Sequence, residues 1–282
     1  MLSLGNRLSS PTNNTLRNVG LVIQGSNDGA SCVAGQAEFD NWDATLGWSV
    51  AVLVSPTFLV SNKDPDTNVT SGAQNISRGV GEQIISLSDP LVTNKGFAIY
   101  VYGNNVYGLV GNGSDYVFPN VAVPNDVAYN ITTGHHINPG SHVLIGLTKS
   151  VLDEEVTVYY KSQVYDLTDS EDMDAADTWG DVGANVSLVV GRNDTDAGTS
   201  VVINRDYTGH ILQVGMWKTP LNAANMTKIY NECSMENVGT YRHWWNFKYI
   251  DNEAGVTPDA GAINPLDLTH QGDAYVGKYS HV

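Results

Sequence analysis

Three carboxylates fall within the stretch AEFDNWD: Glu38, Asp40 and Asp43. Two carboxylates are the minimum apparatus of a retaining glycosidase, an acid and a nucleophile with carboxyl groups about 5–5.5 Å apart. Residues two apart on a strand share a face, so Glu38 and Asp40 stand side by side, whereas Asp43 is out of phase with them. His135 and His136 are adjacent, so on a strand they point to opposite faces and do not readily share a metal. No Gly-x-Ser-x-Gly, phosphate loop or dinucleotide fingerprint occurs, and GNGSDY (111–116) lacks the Lys and helix that phosphate loops require. No catalytic residue is assigned.

A second acidic stretch, TDSEDMDAADTWGD (168–181), holds Asp169, Glu171, Asp172, Asp174, Asp177 and Asp181 without the regular spacing of a calcium loop. It reads as a solvated acidic loop. Trp179 within it is the tryptophan expected to stay exposed. With Trp42 it makes the candidate glycan-binding pair, since a broad aromatic face can stack on a sugar ring. Trp48, Trp217 and one of Trp244 and Trp245 lie in alternating segments and read as core.

The elements that position these residues are strands. VGLVIQ, WSVAVLV, EQIISLS, GFAIYVYG, NNVYGLVG, SHVLIGLT, EVTVYYKS, VSLVVG and HILQVGMW are short, β-branched or aromatic, and bounded by Gly, Asn, Asp or Pro. Gly103 followed by the pair Asn104–Asn105 should turn one strand into the next, because Gly and Asn tolerate positive φ. In GHILQVGMWKTPLNAANMTKIYNE (209–232) the period changes from two to that of a helix across Pro220. The spacing predicts one short helix near 221–231, with Leu221, Met226 and Ile229 facing the sheets. Residues 61–80 are too polar to order deeply. The fold class expected is all-β, a two-sheet antiparallel jelly-roll sandwich forming a single domain over 19–282.

The chain carries 30 Asp and Glu against 14 Lys and Arg, a formal charge of −16. That balance excludes nucleic acid as a partner, because a polyanion needs clustered cations. No run approaches the roughly 20 apolar residues of a membrane span, and the first residues have no export-signal pattern, so neither membrane nor export signal is expected. Cys32 and Cys233 match no metal or redox spacing.

The order of segments resembles the concanavalin A-like lectin/glucanase superfamily, in its laminin G-like and pentraxin-like branch. GQAEFDNWDATLGWSVAVLVSPT (35–57) is similar to the segment where a Phe-Asp strand leads into an aromatic strand. EQIISLSDPLVTNKGFAIYVYGNNVYGLVG (82–111), INPGSHVLIGLTKSVLDEEVTVYYKSQVY (137–165) and VSLVVGR (186–192) resemble the strands that follow. YTGHILQVGMWKTPLNAANMTKIYN (207–231) resembles the strand-Pro-Leu-helix ending, the most specific of these matches. RHWWNFKYIDNEAGVTPDAGAINPLDLTHQGDAYVGK (242–278) resembles the pattern that opens such a domain, here at the other end of the chain. Residues 242–282 are accordingly expected to complete the sandwich as a permuted segment or an extension, in the same chain or in a neighbour. The resemblance implies Glu, Asp and Glu on one strand face in the glucanases. Here the third carboxylate is misplaced, and EFD sits where non-catalytic laminin G-like domains carry a structural Phe-Asp. Some relatives hold calcium in their ligand faces, so the resemblance also implies a candidate metal site at Asp40 or Asp43; two carboxylates are a small part of the roughly six to eight oxygens Ca2+ takes, and the expected cofactor set is none with Ca2+ left open.

These features lead to the expectation of a non-enzymatic virion structural protein of bacteriophage type, a head decoration or tail appendage. It would act through contacts with other virion proteins, as a homo-oligomer or shell-bound, and through surface glycans. The alternative is a secreted or cell-surface carbohydrate-binding lectin, and glycan hydrolysis is a weak third. Residues 1–18, with Leu2, Leu4, Leu8, Arg7 and Arg17, read as a docking arm.

Overall fold

The computed structural model describes residues 19–23, 29–33, 47–56, 82–88, 90–102, 105–123, 129–130, 135–136, 142–163, 165–179, 186–191, 209–240, 242–247, 255–261, 265–272 and 274–278. The arm 1–18, the loop 61–80 and Glu38, Asp40, Trp42 and Asp43 lie outside the described residues.

Strands numbered in chain order build two sheets. The first runs β13 (Asp166–Asp172), β12 (Glu155–Lys161), β11 (Val143–Ser150), β3 (Gly47–Pro56), β15 (Gly209–Trp217), β1 (Val19–Ile23) and β19 (Tyr275–Lys278). An eighth strand, β16 (His243–Asn246), pairs with the second half of β15, past the end of β1. The second sheet runs β17 (Val256–Thr257), β18 (Leu268–Gln271), β2 (Gly29–Val33), β14 (Ser187–Val190), β4 (Glu82–Leu87), β5 (Phe97–Tyr102), β6 (Asn105–Gly111) and β7 (Tyr116–Val117), with β8 (Asn120–Ala122) also on β6. β9 (Tyr129–Asn130) and β10 (His135–His136) pair with each other. Two helices are described, α1 (Pro90–Thr93) and α2 (Ala223–Glu232). The pairings are antiparallel throughout, and the all-β sandwich read from the sequence is the architecture found.

Period-two alternation puts Trp48, Val50, Val52 and Val54 of β3 between the sheets, against Ile85, Phe97, Ile99, Ile145 and Leu188. The other face of β3 is apolar too. Ala51 and Leu53, with Leu144, Leu212 and Trp217, form a second cluster under Leu221, Met226 and Ile229. The Pro-Leu-helix segment therefore lids the outer face of the first sheet, which is why WSVAVLV is a continuous apolar run rather than a clean alternation.

Buried polar groups fix that lid. The Ser49 hydroxyl, fully buried, donates to the Thr219 carbonyl at 3.0 Å and accepts from the Leu221 N–H at 2.7 Å. Asn222 caps α2, with its side chain and that of Asn225 exchanging bonds with each other's N–H groups. A bulge at Leu212 turns Gln213 toward the lid. Its amide donates to the Cys233 carbonyl and accepts from the Met235 N–H and Trp244 Nε1, each at 3.1 Å. The helix lies within two residues of the expected bounds, and Leu221, Met226 and Ile229 are buried as its spacing predicts.

The chain's last segment enters both sheets of the same molecule: β16 pairs with β15, β18 with β2 and β19 with β1. Cys32 sits in the central core and Cys233 under α2, and no disulfide joins them. The hairpin turn lies one residue earlier than expected. Asn105 already pairs with Tyr102, leaving 103–104 as the connection.

One expectation is corrected. Residues 168–172, the start of the stretch read as an acidic loop (168–181), belong to the edge strand β13, whose exposure alternates along its whole length. Leu167, Asp169 and Glu171 stand opposite Tyr160, Val158 and Val156, so two carboxylates point inward where the sequence argued for solvent. They are satisfied by backbone donors of the other sheet.

His210 in β15 is buried, and loss of water lowers its pKa from 6.5 to about 4. Burial lowers that of His270 as well. Between those two His210 values the unfolded chain binds a proton that the folded one refuses. Stability should therefore be complete above pH 6.5 and fall as pH drops toward 4, by up to about 3 kcal/mol from this residue. Urea midpoints across that range should show the slope, and His210→Asn should shallow it; an unchanged curve in the variant would assign the slope elsewhere.

Candidate binding edge

The two sheets meet along one edge of the sandwich, where β13 of the first faces β7 and β8 of the second. Glu171 Oε2 accepts the Phe118 N–H at 3.0 Å, and Asp169 Oδ2 accepts the Asn120 N–H at 2.9 Å. A carboxylate bound to an N–H is a strong acceptor, and inward charge also blunts a bare edge against self-association. These bonds close the edge and set the path of residues 116–120.

That path carries two aromatics at strand spacing. Tyr116 is half-buried, Phe118 is 37% exposed, and their ring centroids lie 5.9 Å apart at 47°. Tyr116 packs against the small cluster of Ala98, Tyr100 and Leu109 on the outer face of the second sheet, beside half-buried Tyr107. Across β4, β5, β6 and β8, the register stacks Gln83, Tyr100, Tyr107 and Asn120 in one row of that face. Gln83 and Tyr100 are buried, so the accessible part of the row is its Tyr107–Asn120 end.

The turn 112–115 forms a stiff rim next to the aromatic pair. Asn112 Oδ1 accepts from the Ser114 and Asp115 N–H groups at 3.0 and 2.7 Å, and Asn112 Nδ2 donates to Asp177 Oδ2 at 3.1 Å. Asn94 reaches the turn from α1, its Nδ2 donating to the Ser114 carbonyl at 2.8 Å and its carbonyl accepting from the Gly113 N–H at 2.7 Å. Gly113 has φ +90, and nothing would lie within 4 Å of a Cβ there, so the glycine serves backbone conformation rather than close packing.

Trp179 is not part of this surface. It is fully buried, 4.9 Å from Trp48 and 5.4 Å from Phe97 between ring centroids, and its carbonyl accepts the Gly96 N–H at 2.9 Å. The acidic strand ends by turning a large ring into the core, because an aromatic side chain recovers more free energy buried than solvated. Sugar stacking on Trp179 is withdrawn as an expectation. Trp42, the other stacking candidate, and Asp40, Asp43 and Glu38 lie outside the described residues, as do the side chains of His135 and His136. Tyr116 and Phe118 had not been singled out; the alternation in DYVFPN was the available signal.

A second titratable cluster has the geometry of an acid–base dyad. His243 Nδ1 lies 2.7 Å from Asp259 Oδ2, and His243 stacks on Trp245 at 10°. Asp259 also accepts the N–H groups of Trp244, Gly261 and Leu266 at 2.9, 2.7 and 3.0 Å. Both side chains are fully buried, so no substrate reaches them; the pair ties β16 to residues 259–266.

No protein-family model matches the chain, and no curated protein matches it in sequence. Solved structures are similar to it. A putative carbohydrate binding protein from Bacteroides ovatus is 10% identical with a TM-score of 0.50, and the match covers 94% of this chain and 60% of that one. The heptameric SAP-like pentraxin of Limulus polyphemus is 12% identical with a TM-score of 0.49, covering 93% and 96%. The Ruminococcus gnavus IT-sialidase CBM40, solved with α2,6 sialyllactose, is 11% identical with a TM-score of 0.46, covering 76% and 98%. At 10% identity the Bacteroides ovatus likeness speaks to architecture alone, the two-sheet antiparallel sandwich described above.

Proposed function

We propose that the chain is a non-catalytic binding module on the outside of an assembled particle, a virion structural protein of head-decoration or tail-appendage type. It contacts neighbouring virion proteins and surface glycans. The observation that carries the binding role is the Tyr116–Phe118 pair, held at a stiff edge whose nearest carboxylates are committed to structure. Asp169 and Glu171 each accept a backbone N–H, and Asp177 accepts the Asn112 amide. A glycosidase needs an acid and a base that change protonation against the substrate, whereas these carboxylates hold the edge together.

The two buried cysteines, joined by no disulfide, favour the particle over the secreted-lectin reading. A chain folding in a reducing compartment and released with a particle has no need of a disulfide. The lectin reading is supported by the same aromatic edge and by the carbohydrate-binding description of the Bacteroides ovatus neighbour. The two part on location. An antibody against the chain should label particles banded from a lysate of the source organism. Antigen confined to the particle-free medium would select the lectin.

A further inference from the structure

We infer that the Tyr116–Phe118 edge binds neutral glycans and rejects sialylated and sulfated ones. This rests on the reading of the chain as a binding module and gives that reading a site and a ligand class. The C–H face of a pyranose is apolar and packs on an aromatic ring, and Phe118 with Tyr116 offers two tilted rings at strand spacing. Sugar hydroxyls need acceptors at the margin of such a face. Asp115 and Asp177 stand there, each engaged through one oxygen with the rim and each carrying a second.

Charge decides which glycan fits. The segments forming the edge, 94–95, 112–120 and 166–179, contain Asp115, Asp169, Glu171, Asp172, Asp174 and Asp177 against Lys95, while Asp166 is paired with Lys161 of the neighbouring strand. Charges within the Debye length of about 10 Å at 0.1 M salt act on a bound ligand, so a carboxylated or sulfated sugar meets net repulsion and a neutral one does not. The rim is also preorganised. Asn112, Asn94 and Gly113 fix it by hydrogen bonds already made, which lowers the ordering cost of binding.

The test is a printed array pairing neutral oligosaccharides with their sialylated and sulfated forms, followed by calorimetric titration of the hits. Neutral forms should bind, and Phe118→Ala should weaken them about tenfold with an unchanged melting temperature, because the ring is partly exposed. Tyr116→Ala should weaken them as well. The double variant Asp172→Asn, Asp174→Asn removes two exposed charges, and should let sialylated forms bind while neutral affinity holds. Preference of the wild type for anionic glycans would overturn the inference. Neutral binding that survives both aromatic substitutions would place the site elsewhere and leave the module reading standing. A wild type that binds no glycan, yet holds a protein partner lost in Phe118→Ala, would overturn the ligand class alone; a wild type with no ligand of either kind would remove the module reading too.

Discussion

Asp259→Ala is expected to cost about 3–5 kcal/mol of unfolding free energy, read as a lowered urea midpoint with an unchanged slope. The carboxylate takes His243 Nδ1 and three backbone N–H groups inside the sandwich. Alanine leaves all four donors buried against a methyl group. Burial alone would raise the pKa of Asp259, but the bonds from His243 and from the Leu266, Trp244 and Gly261 N–H groups outweigh it, so the carboxyl titrates below its ordinary 3.8. The contribution is then fully present above that value and is lost as pH falls through the folded pKa, below the window governed by His210. Asp259→Asn keeps an acceptor oxygen and should cost less, while flattening the acid limb below about pH 4. A loss under about 1 kcal/mol for the alanine variant would mean that the four donors find other partners, and that the pair does not secure residues 259–266.

Trp179→Ala is expected to cost about 3–5 kcal/mol and to leave glycan affinity intact wherever the variant is folded. The ring fills the space between Trp48 and Phe97, and it anchors the chain just after the acidic edge strand. Trp179→Phe should lose less, since a smaller ring can still occupy part of the site. The opposite pattern, lost binding with an unchanged unfolding midpoint, would return Trp179 to the surface and sink the assignment.

Much of the fold is legible in the chain because it rests on local rules. Each of the nine segments singled out in the sequence contains a strand, and the change of period across Pro220 marks α2. The β13 strand was hidden because legibility by alternation needs apolar residues on the inner face, and Leu167 is followed there by Asp169 and Glu171. Their partners, the N–H groups of Phe118 and Asn120, lie 53 and 49 residues away and cannot be read from the neighbourhood of the acids. The two adjacent tryptophans show the same limit. The sequence argued for one in the core, yet Trp245 enters the sandwich and Trp244 the cluster under α2, because β16 has an apolar layer on each side.

By itself, then, the sequence determined the class of fold, the helical lid and the residues it buries, since hydrophobic periodicity and turn chemistry act over a few residues. It also determined the formal charge of −16. Only the tertiary structure decided which aromatics meet solvent. Trp179 lies in an acidic stretch and Phe118 in the more apolar YVFPNVAV, yet the first turns inward between the sheets while the second sits on a path pinned to the facing edge strand. Exposure is a property of what packs on a residue from elsewhere in the chain, and that is settled when the two sheets close on each other.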